Sequence, residues 1–135
     1  MAKESASSDE HQKLVGFLVE RIKNEGFEIR CASYGNYAAC EAIDSAVPDV
    51  RGHNSTIELT CFGEAETDAT INTDHTRKQF KVFANRIMTN GKSKGQKCPF
   101  YIAVPTGSED KLKKLLTKLG LIIELHLVEI LSRLA

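Results

Sequence analysis

A chain of 135 residues, 41% hydrophobic and 27% charged, is long enough to bury a core of its own, and none of its apolar runs nears the roughly 18 residues that a membrane crossing needs. Eighteen bases balance eighteen acids for a formal net charge of +0, which argues against a generally basic nucleic-acid coat. One domain over 8–135 is expected behind a polar, flexible tail over 1–7, in the cytoplasm and off the membrane, since the opening MAKESASSDE lacks a signal's apolar stretch.

Ser7 and Glu10 form a capping box for a first helix to about residue 25, with Leu14, Val15, Leu18 and Ile22 at helical spacing and Gly26 at its end. Residues 27–33 alternate, Phe27, Ile29 and Cys31 against Glu28 and Arg30, as a strand does. A loop over 34–46 leads to a short strand at 47–52, a turn at 53–55 and a returning strand at 56–66. On the return, Ile57, Leu59, Cys61 and Ala65 share one side and Glu58, Thr60, Phe62, Glu64 and Glu66 the other, so one face reads as core and the other as largely carboxylate, unless Gly63 bulges the strand.

Thr73 or Asp74 caps a second helix to about 88, with Phe80, Phe83, Ala84, Ile87 and Met88 as its buried stripe. A basic loop at 90–96 precedes the continuously apolar run 100–104, which suits a central strand covered on both faces. Ser108 caps a third helix carrying Leu112, Leu115, Leu116 and Leu119, and 121–128 fits a last strand or more helix. The order α-β-β-β-α-β-α-(β) gives an α/β class, a single mixed central sheet flanked by helices.

Charge is unevenly spread. Between 36 and 75 the acids Glu41, Asp44, Asp49, Glu58, Glu64, Glu66, Asp68 and Asp74 meet one base, Arg51, whereas 76–97 holds no acid and carries Arg77, Lys78, Lys81, Arg86, Lys92, Lys94 and Lys97. A metal site beside a phosphate track accounts for this pattern, and so do two oppositely charged solvated faces. The four cysteines, Cys31, Cys40, Cys61 and Cys98, have no close partner spacing and read as reduced, partly buried thiols.

Asp49 after Pro48 at the start of one strand, GEAET at 63–67 closing the next, and Gln79 on the helix that follows form an ordered set. Over roughly 10–105 this order resembles the PD-(D/E)XK nuclease superfamily, to which restriction endonucleases and archaeal Holliday junction resolvases belong. The resemblance implies a restriction endonuclease-like fold and a metal-dependent DNA endonuclease that hydrolyses phosphodiester bonds. Asp49 and Glu64 would bind Mg2+ or Mn2+, with the carbonyl of Ala65 as a further ligand. Glu66 stands where the family has lysine. It would then act as a base or serve a second metal, or the chain would be an inactive module that binds DNA or a protein partner.

A second registration pairs Asp49 with Glu58 and puts Thr60 at the lysine position, as a tight turn at His53 and Asn54 would favour. Glu64 would then lie about 20 Å further along the strand. The first is preferred for the distance of GEAET from the Gln79 helix. By the same resemblance Gln79 comes near the site, Glu10 and His11 reach it less readily from the first helix, and His75 is more simply a first-turn residue. Arg77, Lys78 and Lys81, with Lys92, Lys94 and Lys97, would hold the backbone of double-stranded or branched DNA, and a homodimer would suit two-fold substrates.

Overall fold

The computed structural model describes residues 2–133. Its elements run α1 (Ala2–Asn24), β1 (Glu28–Ala32), β2 (Val50–Asn54), β3 (Leu59–Ala65), α2 (Asp74–Ala84), β4 (Phe100–Pro105), α3 (Glu109–Lys118) and β5 (Val128–Arg133). The five strands form one sheet in the order β1-β2-β3-β4-β5. Its first three strands pair antiparallel, and β3, β4 and β5 pair parallel. The chain is therefore α/β, a mixed sheet flanked by helices.

Parallel neighbours need crossover connections, and α2 and α3 supply them. Two crossovers of one hand between strands that advance in one direction fall on the same face of the sheet. On that face Phe62, Phe80, Phe83 and Phe100 pack with Ile102, Val104, Leu112 and Leu116, and the Phe62 and Phe83 rings stack with centroids 5.2 Å apart. The other face is covered by α1, whose Leu14, Val15, Leu18 and Ile22 meet Val50, Cys61, Ala65 and Ala103. All seven residues of β3 are consequently buried. The expected one-sided strand is thus corrected: α2 covers the face that carries Phe62 and Glu64, and the central position of β3 leaves neither face open.

Several boundaries differ from the sequence reading. Helix α1 starts at Ala2, so the segment expected as a tail continues the helix, and Ser7 and Glu10 lie inside it rather than at its cap; Ala, Lys and Glu at its start are good helix formers. Helix α2 begins as expected, the Thr73 hydroxyl accepting the Thr76 N–H at 3.2 Å, but it ends at Ala84, and Ile87 is exposed. Ser108 stands at the start of α3 without capping it; its hydroxyl donates to Asp68 Oδ1 at 2.9 Å. The last strand begins at Val128, where the expected one ended.

Cys31 and Cys40 are joined by a disulfide, and Cys61 and Cys98 are buried free thiols. The expectation of four thiols is corrected. Behind β1 the chain folds back, with the Ala32 N–H on the Ala38 carbonyl at 2.9 Å, which brings the two Cα atoms to 5.0 Å. Such a bond is rare in a reducing cytosol, so the expected cytoplasmic setting would hold this pair as a dithiol. Among the described residues no helix is long and apolar enough to cross a membrane.

Candidate functional site

The register of the β2–β3 hairpin builds the site. Val50 faces Gly63 and Asn54 faces Leu59, so Asp49, just ahead of β2, arrives beside Glu64. The Asp49 N–H donates to the Gly63 carbonyl and to Glu64 Oε1, both at 3.0 Å. In return the Ala65 N–H donates to Asp49 Oδ2 at 2.9 Å. Glu66, two residues past Glu64 on the same side of the chain, accepts the Thr76 hydroxyl of α2 at 3.0 Å. From the opposite layer His11 of α1 brings Nε2 to 3.1 Å from Asp49 Oδ2.

Three acids and a histidine thus converge where β2 begins and β3 ends. Glu64 and Glu66 are 2% and 6% exposed, and the Asp49 side chain 15%. Burial, reinforced by the charges of Asp49 and Glu66, pushes the Glu64 carboxyl well above the usual range. Burial likewise lifts Glu66 to about 7, against the Thr70 and Thr76 hydroxyls that favour its ionised form. The hydrogen bond to Asp49 raises the His11 imidazole despite the opposing effect of burial.

Gln79 is buried on α2, and its amide donates to the Val47 carbonyl at 2.8 Å. It fixes the backbone two residues before Asp49, a positioning role.

The second registration does not hold. Glu58 lies beyond the Asn54–Leu59 pair, six residues and about 20 Å along the strand from the partner position of Asp49. It sits at the hairpin tip with φ 54° and accepts the Lys92 N–H at 3.2 Å. Thr60 faces His53. The tip forms later than expected because Asn54 Oδ1 accepts the N–H groups of Thr56 and Ile57 at 3.0 and 3.3 Å, a turn that carries the bend to 55–58.

Of the first-helix candidates, His11 makes the contact, and the Glu10 side chain has no hydrogen-bond partner among the described residues. The sequence carried a signal for this: His11 extends the stripe of Leu14, Val15, Leu18 and Ile22 by one turn. His75, Lys78, Lys81, Lys92 and Lys94 are exposed and make no hydrogen bond to Asp49, Glu64 or Glu66. Arg77 pairs with Asp74. Lys97 is turned inward, donating to the carbonyls of Phe83 and Cys98 at 3.2 and 2.6 Å, and burial lowers its ammonium to about 8. It closes the carbonyl end of α2 instead of facing a phosphate.

As the side chains stand, no group of three or more His, Cys, Asp or Glu among the described residues is arranged to hold a metal ion. The donor chemistry still fits a hard divalent cation: carboxylate oxygens of Asp49 and Glu64, a strand carbonyl at Ala65, and in Glu64 a buried acid whose ionised form lacks a compensating cation. No protein-family model matches the sequence, and no curated protein or solved structure is significantly similar to it.

Proposed function

We propose that this chain is a divalent-metal-dependent deoxyribonuclease of restriction endonuclease-like fold, within the PD-(D/E)XK superfamily, cutting double-stranded or branched DNA as a homodimer. The observation that carries the reading is the meeting of Asp49 and Glu64 through reciprocal backbone hydrogen bonds, with Glu66 beside them and Gln79 fixing the approach. Asp49, Glu64 and the Ala65 carbonyl would hold Mg2+ or Mn2+, which when bound sharpens a water nucleophile and offsets charge on the phosphate. Glu66, raised to about 7, is suited to take the proton of that water near neutral pH, with Thr76 orienting it. His11 holds Asp49 Oδ2, and this contact raises its imidazole, which favours a positive charge where the family's lysine is absent. Lys78, Lys81, Lys92 and Lys94 would meet the DNA backbone.

The second reading, an inactive module that binds DNA or a protein, is favoured by one observation: Glu66 occupies the lysine position and is buried. The separating test is cleavage of linear, single-stranded, flapped and four-way-junction DNA with Mg2+ or Mn2+, wild type beside Asp49→Asn and Glu64→Gln. Metal-dependent cutting lost in both variants supports the nuclease. No cutting of any substrate by the wild type, with DNA still bound, supports the module.

A further inference from the structure

Past the carboxylates along β2, a cavity of about 620 Å³ opens between the β2–β3 sheet face and the segment 86–90 that follows α2. Phe62, Met88 and Cys98 line it from below, Phe62 and Cys98 buried at 2% each, and Arg51, Arg86 and Asn90 line its mouth. It is of a size that holds small organic ligands. Neither the carboxylate chemistry nor the packing of the core uses it.

The cations around the mouth are differently engaged. Arg51 is exposed and has no carboxylate within ion-pair distance among the described residues. Arg86 is paired with Asp44 at 3.3 Å, an exposed contact of the kind that an incoming anion displaces at little cost. Glu58, an acid on the same rim, has Oε1 held by the Lys92 N–H. The cavity therefore presents a free planar cation over a floor of Phe62, Met88 and Cys98, with Asn90 on the rim and His53, Ser55 and Thr60 adding polar wall. Guanidinium forks match phosphate oxygens, and a ring fits the apolar floor below. Arg51 is also two residues from Asp49, about 7 Å along an extended chain, so a strand held at the carboxylates reaches it within the span of one nucleotide.

We propose that this cavity is a nucleotide subsite, taking one nucleotide of a DNA strand with its phosphate on Arg51 and its ring over Phe62, Met88 and Cys98. The identity of the strand rests on the nuclease reading; the binding itself does not. The test is therefore made without metal, by calorimetric titration at low salt with thymidine 5′-monophosphate, a short oligothymidylate and inorganic phosphate. Both nucleotide probes should bind saturably, the oligomer more tightly, and Arg51→Ala should weaken each about tenfold. Lys118→Ala, which removes the same charge from α3, should leave both affinities in place. Arg51 is exposed, so the variant's melting temperature should equal that of the wild type, which separates lost binding from lost fold. Nucleotide binding indifferent to Arg51→Ala, no saturable binding, or inorganic phosphate binding as well as the nucleotide would each overturn the subsite. Cleavage that fails while nucleotide binding persists would remove the nuclease reading and leave the subsite standing.

Discussion

The carboxyl of Glu66 exacts a cost that its surroundings only partly offset. Its folded-state pKa is about 7 against an ordinary 4.5, so between those values the native state holds a proton that the unfolded state has released. The stability that Glu66 contributes is therefore greatest below about 4.5, falls as pH rises towards 7, and stays low above it. The shift corresponds to roughly 3 kcal/mol at most. Glu66→Gln keeps an acceptor for the Thr76 hydroxyl and removes the charge, so it should raise the melting temperature at pH 8 by roughly 5–10 °C. At pH 4, where the acid is protonated in both states, the two proteins should melt together. Melts followed by circular dichroism decide this; an equal gain at both pH values would mean that the effect is packing and not charge. At this scale the three acids were legible, because alternation along a strand puts Glu64 and Glu66 on one side. Lys97 was not legible, since nothing in a run of basic residues says which one turns inward to close a helix.

At the scale of elements, the hairpin tip decides the site. Each residue by which a tip moves shifts the partner of Asp49 by two. A turn at His53 and Asn54 would put Glu58 opposite it, and the Asn54 turn at 55–58 puts Glu64 there. Composition marked the hairpin, but the choice of tip lay in one side chain, Asn54, and the two backbone N–H groups it accepts. Helix α2 then fixes the entering strand through Gln79. Gln79→Ala should leave DNA affinity unchanged and slow single-turnover cleavage about a hundredfold, the usual consequence of a small displacement at a reacting centre. An unchanged rate would show that Val47 is held without it. The Cys31–Cys40 bond constrains the loop leading to the same strand. Replacing both by serine should lower stability by about 2–3 kcal/mol in oxidised protein and leave it unchanged under reductant, read from denaturant midpoints. Equal midpoints in oxidising conditions would mean that the thiols are not bonded in solution. That pairing was invisible to spacing, because it depends on how the loop after β1 folds back.

For the molecule as a whole, the class and part of the element order were legible from periodicity, whereas the burial of β3 on both faces needed α1 on one side and α2, carried over by its crossover, on the other. The same architecture organises charge. The buried acids lie at one end of the β2–β3 hairpin, and Lys92 and Lys94 are exposed in the loop that meets its tip at the other. A chain with a formal net charge of +0 has no diffuse attraction for DNA to add to such a track. Binding should then depend on a few local phosphate contacts, and log affinity should fall with log salt at a slope of about −0.9 for each one. Lys92→Ala and Lys94→Ala should each reduce that slope by about one while Lys114→Ala on α3 leaves it alone, measured by fluorescence anisotropy on labelled duplex without metal. A slope unaltered by the first two and reduced by the third would move the DNA from the hairpin to the helical face. Because the acids repel a phosphate, added divalent cation should tighten binding in the wild type more than in Glu64→Gln. Equal tightening in both would trace the ion's effect to the DNA rather than to the carboxylates.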